Sequence, residues 1–234
     1  MKKLNTILAA FGALLMLSVT SANSVEFKAG LSANGMAAYA NAKETLKDGG
    51  TRTTNEEAVL ATSFASAFAE VSSEEMMGLG IGISYAPEVA DLEKETRTIQ
   101  DTTPQTGLGG LTNDSGDQVI DGKIEDLLSI YVTLPVGGNG AYVKAGYIQA
   151  TLNTNENLAT GSKYENIDLS GTQVGAGYEG SLGDMAFWRA EGTYQMWEDL
   201  SASGSESGGT TGSKNKITAE LGSVTGSLSV GMKF

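Results

Sequence analysis

The chain has 234 residues, of which 28 are acidic and 15 basic, a formal charge of −13, and it contains neither histidine nor cysteine. Those two absences remove Ser-His-Asp triads, histidine bases, thiolate chemistry, disulfides and His- or Cys-ligated zinc, and the acidic balance speaks against nucleic acid as a partner. With 31 glycines, 3 prolines and 40% apolar residues, the composition suits an all-β protein with many turns.

Lys2 and Lys3 precede an uncharged, largely apolar stretch from Ile7 to Val19 and then small residues, the pattern of a secretory signal peptide. Cleavage is expected after Ala22 or Ser24, which makes residues 1–22 the signal and 23–234 one domain. About 13 apolar residues are short for crossing roughly 30 Å of hydrocarbon as a helix. No longer apolar run follows, so a membrane-resident mature chain must cross as a closed β-barrel. Loss of Lys2 and Lys3 leaves 13 bases against 28 acids, a charge of −15.

Strand-period alternation then recurs along the chain. Val25, Phe27, Ala29, Leu31, Ala33, Ala37 and Tyr39 share one parity, with Glu26, Lys28, Ser32 and Asn34 on the other. A loop is expected from Ala42 to Glu57. A second strand, Ala58 to Val71, has Leu60, Phe64 and Phe68 on one parity and turns through Ser72 to Glu75. The third alternates Met77, Leu79, Ile81, Ile83 and Tyr85 with Gly78, Gly80 and Gly82. These glycines lack the spacing of a nucleotide loop and read instead as small residues facing a crowded lumen. Pro87 to Gly122 is expected to be the longest loop. Strand four, Lys123 to Leu134, sets Leu128, Ile130, Val132 and Leu134 against Ser129, Tyr131 and Thr133, and a turn spans Pro135 to Gly140.

Strand five covers Ala141 to Leu152. Strand six, Asp168 to Tyr178, has a parity slip near Leu169 to Gly171 that suggests a bulge. Strand seven, Met185 to Met196, sets Trp188, Ala190, Tyr194 and Met196 against Arg189, Glu191, Thr193 and Gln195. After a Ser/Gly/Thr-rich loop from Ser201 to Ser213, the last strand lies within Ile217 to Phe234.

Eight strands joined by alternately long and short connections form the topology of an outer-membrane up-and-down antiparallel barrel. Ten strands also fit if a hairpin around Val119 and Ile120 is hidden in the longest loop. Phe27, Tyr142, Tyr178, Trp188 and Phe234 then fall near one rim and Tyr39, Tyr85 and Trp197 near the other, as two aromatic girdles. The twelve residues from Phe27 to Tyr39, at about 3.3 Å each and about 40° tilt, rise roughly 30 Å, enough to bracket the membrane band.

The segments "LPVGGNGAYVKAGY", "GAGYEGSLGDMAFWRAEGTY" and "GSLSVGMKF" resemble those of small eight-stranded outer-membrane proteins of the opacity and OmpX-like type. The terminal Phe234, with Leu228, Val230 and Met232 at alternate positions before it, resembles the signal read by the barrel-assembly machinery. The resemblance implies residence in the Gram-negative outer membrane, among lipid and lipopolysaccharide, with both termini periplasmic. It does not imply an activity.

Charged residues on inward parities have to pair in a narrow lumen, so Lys28, Glu125, Lys144, Arg189 and Glu191 are candidates for one salt-bridged network. A lumen of eight strands is barely wide enough to be anything but filled. Asp114, Asp117 and Asp121 form an acidic segment that lacks a complete calcium-loop signature, and its plainer reading is a solvated loop. Divalent cations bridging it to lipopolysaccharide phosphates are the sharper one. No cofactor, metal site or catalytic residue is expected, and a monomer is expected. The leading function is non-enzymatic, a structural or surface-interaction role in adhesion or envelope integrity through the long loops. The alternative is a small porin-like channel for ions or hydrophobic molecules.

Overall fold

A computed structural model describes the backbone of residues 25–45, 51–104, 111–154, 157–158, 164–208 and 213–234, and side chains within 25–43, 59–91, 122–154, 164–204 and 216–234. The strands are β1 (Val25–Thr45), β2 (Thr51–Ser73), β3 (Leu79–Pro104), β4 (Leu111–Pro135), β5 (Ala141–Thr154), β6 (Asn157–Leu158), β7 (Ile167–Ser181), β8 (Ala186–Trp197), β9 (Leu200–Gly208) and β10 (Ser213–Lys233). The order is β1-β2-β3-β4-β5-β7-β8-β10, and β10 pairs back onto β1. Short β6 pairs with β4 beyond the end of β5, and β9 pairs with β10 beyond the end of β8. Ten strands therefore make eight staves of a closed antiparallel barrel.

Closure joins the first and last strands. Lys28 lies opposite Lys233 and the pairing runs on to Thr45 opposite Lys216. The Phe234 N–H donates to the Phe27 carbonyl at 2.8 Å, the Phe27 N–H to the Phe234 carbonyl at 3.1 Å, and the two rings lie 6.2 Å apart. The C-terminal residues Leu228, Val230, Met232 and Phe234 all face outward.

That outer surface is an apolar band. Leu31, Ile130, Val132, Val143, Val174, Tyr178, Trp188, Tyr194 and Val224 stand exposed on it, Leu228 to 68%. An apolar surface so extensive belongs against hydrocarbon. No helix among the described residues is long and apolar enough to cross a membrane. The terminal end carries tight connections: the single turn Glu74–Met76, the Val136 to Gly140 turn and the Leu182 to Met185 turn. The opposite end carries the long hairpins.

Three expectations need correction. The segment Pro87 to Gly122 is not a loop, because β3 and β4 stay paired from Glu95 opposite Ile120 to Pro104 opposite Leu111. The hairpin near Val119 and Ile120 thus exists, yet it prolongs two staves and adds none. The segments 42–57 and 201–213 likewise hold extensions of β1, β2 and β9. Alternation registers a contrast between two environments, and Thr, Asp and Gly fall on both parities here, whereas backbone pairing needs no such contrast. Third, β7 runs in unbroken register against β5 through Leu169 and Gly171, so there is no bulge there. Register shifts lie elsewhere: between Ala42 and Glu44 in β1, between Lys214 and Lys216 in β10, and in β3 and β4, including one between Glu125 and Leu128 where Asp126 takes φ of 57°.

Glycines in β3 do face a crowded lumen. A Cβ on Gly82 would lie 2.3 Å from Cζ of Tyr131, and one on Gly80 would lie 2.3 Å from the Thr133 hydroxyl. Gly192, on the outer face, would meet nothing within 4 Å. We expect Gly82→Ala to lower the unfolding free energy in urea by about 1–3 kcal/mol through overpacking, with Gly192→Ala changing it by less than about 0.5 kcal/mol.

Candidate functional site

The lumen is built in three layers. The first, at the terminal end, is charged. The Arg189 guanidinium donates to both oxygens of Glu70 at 3.0 and 3.1 Å and to Glu179 at 2.7 Å. Lys28 donates to the other Glu179 oxygen at 2.8 Å and lies 3.2 Å from Glu26 at the rim. Lys144 and the Tyr142 hydroxyl both donate to Glu191, at 2.7 and 2.8 Å. Rings cap the cations. Tyr131 lies 4.1 Å from the Lys144 ammonium, and Phe68, Tyr142 and Phe187 lie 5.1–5.5 Å from the Arg189 guanidinium carbon. Three cations, Lys28, Lys144 and Arg189, thus meet three inward carboxylates, Glu70, Glu179 and Glu191, in a neutral plug. Arg189 is 5% and Glu70 2% exposed, a depth at which a charge needs both partner and hydrogen bonds.

The second layer is neutral and polar. Asn34 donates to the Ser66 hydroxyl at 3.0 Å and accepts from Ser227 at 2.7 Å. Gln195 accepts from Ser223 and Thr225, Gln173 donates to Ser129, and Ser32 bonds Ser229. Two cavities of about 50 Å³ each lie among these groups and the plug.

Above them the chemistry changes. A chamber of about 340 Å³ is walled almost wholly by hydrocarbon: Met36 and Leu60 from β1 and β2, Ile124 and Leu127 from β4, Ala150 and Leu152 from β5, Ile167 and Leu169 from β7, and Ile217, Ala219 and Leu221 from β10. Trp197 forms part of its wall, its indole N–H donating to Ser223 at 3.0 Å. The chamber lies where the barrel divides. β2 pairs with β3 only from Ala67 opposite Tyr85 to Ser73 opposite Leu79. Beyond that point β2 is paired to β1 and β3 to β4, and Pro87 has no N–H with which to continue the ladder. The Thr62 hydroxyl alone, among the bonds described, crosses this gap, donating to the Val89 carbonyl at 2.8 Å.

A second gap separates β7 from β9. The β7–β8 pairing stops at Gly171 opposite Trp197, followed by one bond from the Glu198 N–H to the Ser170 carbonyl at 2.8 Å. Opposite β10, residues 197–199 face only 220–221 before pairing resumes at Leu200 and Ala219, and beyond that bulge β9 is paired to β10 alone. Two half-sheets, β2-β1-β10-β9 and β3-β4-β5-β7, therefore hold the chamber between them.

Of the residues expected in the charged network, Lys28, Lys144, Arg189 and Glu191 face the lumen and are ion-paired. Glu125 is not among them: it accepts a hydrogen bond from Asn153, on the outward parity of β5. The bulge at Asp126 reverses the parity of β4, so counting down from Leu128 puts Glu125 on the wrong face. Tyr142 and Trp197 leave the girdles for the lumen, since they share the inward parities of Lys144 and Arg189. Phe27, Tyr39, Tyr85, Tyr178 and Trp188 are on the outward parity, with Tyr178 and Trp188 5.6 Å apart and the Tyr85 hydroxyl donating to Asp126. Glu70 and Glu179 were missed. Glu70 shares a parity with Leu60, Phe64 and Phe68, which looks like a lipid-facing row yet faces inward, while Ala61, Ala65 and Ala67 face out. Side chains of Asp114, Asp117 and Asp121 lie outside the described residues.

The fold is that of an eight-stranded outer-membrane β-barrel. Among solved structures, the outer membrane protein OprG from Pseudomonas aeruginosa is similar, with a TM-score of 0.52 at 15% identity over 89% of this chain and 95% of that one. The attachment invasion locus protein Ail of Yersinia pestis (TM-score 0.38, 10% identity, 88% and 98% covered) and the outer membrane protease OmpT from Escherichia coli (0.39, 10%, 93% and 100%) also match. No family model and no curated protein matches the sequence.

Removing Arg189 leaves Glu70 charged and buried. Arg189→Leu is expected to lower unfolding free energy by about 3–5 kcal/mol. Adding Glu70→Gln should restore part of the loss, a coupling that a double-mutant cycle in urea measures directly.

Proposed function

We propose that this protein is a non-enzymatic outer-membrane barrel, with termini in the periplasm, that takes small apolar molecules into its lumen at the outer end and releases them sideways into the bilayer. The observation that carries this reading is the apolar chamber lying above a layer of mutually paired charges of zero net charge. Ion conduction along the axis would require breaking buried pairs. An apolar solute would gain roughly 25 cal/mol per Å² of surface removed from water and would meet almost no polar group in the chamber. The gap between β2 and β3, closed by the Thr62 hydroxyl, supplies a way out through the wall that needs no passage through the plug.

The two tryptophans make the test direct. In a Trp188→Phe variant only Trp197, at the chamber, remains. Titration with the apolar fluorophore N-phenyl-1-naphthylamine should change its emission saturably. Ala150→Phe, which fills the chamber, should weaken binding at least about tenfold, as expected for loss of a fitted apolar site. Steady single-channel openings of the wild-type barrel in a planar bilayer would overturn the sealed-plug reading.

A second reading, surface contact, is favoured by the length of the β3–β4 hairpin, 26 and 25 residues against 14 for β5. Its acidic stretch would bridge to lipopolysaccharide phosphates through divalent cations. If so, chelator should lower the melting temperature in lipopolysaccharide-containing bilayers by several degrees, and an unchanged melting temperature refutes it.

A further inference from the structure

The gap between β7 and β9 differs from the gap between β2 and β3 in its charge. Its inner edges are walls of the chamber, Ile167 and Leu169 on β7 and Leu200 and Ala202 on β9. Its outer lip carries Glu165, Glu198 and Asp199, all exposed, together with Asp168, which accepts a hydrogen bond from Thr151. Neither residues 164–170 nor 197–204 contain a lysine or arginine. Glu198 is held in place by the Ser170 hydroxyl and by its own N–H on the Ser170 carbonyl. Among the described residues the nearest cation in register is Lys216, across β9 opposite Ser203, with Glu220 exposed on the same strand; Lys163, just before this segment in sequence, lies outside the described residues. At the other gap, by contrast, Lys123 lies 2.9 Å from Asp91 and offsets one of the two carboxylates, Glu88 and Asp91, at its edge.

Resting on the chamber reading, we propose that the β7–β9 gap is the admission slot and that Glu165, Glu198 and Asp199 make it select apolar molecules with a positive head over those with a negative one. The body of such a ligand lies against Leu169 and Leu200 while its head stays at the lip in water. The field of several like charges beside a low-dielectric wall extends over about a Debye length, about 8 Å at physiological salt, so it reaches a head group anywhere in the slot. Individual exposed charge pairs are weak, and three acting in concert on one head group amount to a several-fold preference. An anionic head of the same length meets the same field as repulsion.

The test compares octylammonium, octanol and octanoate at neutral pH, in non-ionic detergent and low salt, with Trp197 emission of the Trp188→Phe protein as readout. After correction for micelle partition, octylammonium should bind roughly five- to tenfold tighter than octanoate, with octanol between them. The triple substitution Glu165→Gln, Glu198→Gln, Asp199→Asn should close most of that difference, leave octanol binding unchanged and preserve the heat-dependent gel shift of a folded barrel. Added salt at about 0.5 M should narrow the difference in the parent in the same way. Equal binding of all three ligands, or a preference untouched by the substitutions, overturns the selective slot and leaves the chamber standing. No response of Trp197 to any of the three overturns the chamber as well.

Discussion

Inside a bilayer every backbone N–H and C=O has to be satisfied by the chain itself, since lipid tails offer neither donor nor acceptor. The strand-to-strand ladder is therefore what makes the molecule possible, and the pairing of β10 with β1 removes the last free edge at the terminal end. Where ladders are complete, from the termini to about Ala67, Tyr85 and Trp197, the lumen is polar and its charges are paired, with Arg189 Nε a buried donor left without a partner. Where two of the eight ladders stop, the interior turns to hydrocarbon. The coincidence has a physical reason. Two half-sheets not sewn together along both sides need another attraction, and burial of Met36, Leu200 and Ala219 against Leu127, Ile148, Ala150 and Leu169 supplies it.

The charged layer answers a different problem. A narrow lumen lined by glycine and aromatic rings has little water with which to solvate an ion, so its charges are held by one another. Glu179 bonds both Lys28 and Arg189, joining β1, β7 and β8, and Arg189 reaches across to Glu70 on β2. These contacts link residues up to 151 positions apart in sequence, so they tie together staves that no turn connects.

Much of this architecture was legible in the sequence. The staves, their turns and their outward faces follow from period-two alternation, because a barrel wall separates two unlike environments and the chain must alternate to satisfy both. Errors arose wherever that premise fails. One extra residue at Asp126 reversed the parity that located Glu125. In β2 the bulky residues face inward and alanines face the lipid, so side-chain size pointed to the wrong face and hid Glu70. Residue type points Tyr142 and Trp197 to the girdles, although their own parities place them beside Lys144 and Arg189. The chamber and the two gaps had no signal at all, since they depend on which ladders end where, a property of pairs of strands rather than of any one segment.

The sealed floor bears on how such a protein affects the cell that carries it. An open pore raises passive permeability in proportion to its copy number, and that limits how many copies a membrane tolerates. On the proposed function, a barrel whose ions hold one another in the floor and whose cargo leaves through the wall would separate uptake from leakage. Its abundance could then follow the supply of cargo without the envelope growing leakier to salts as copies are added.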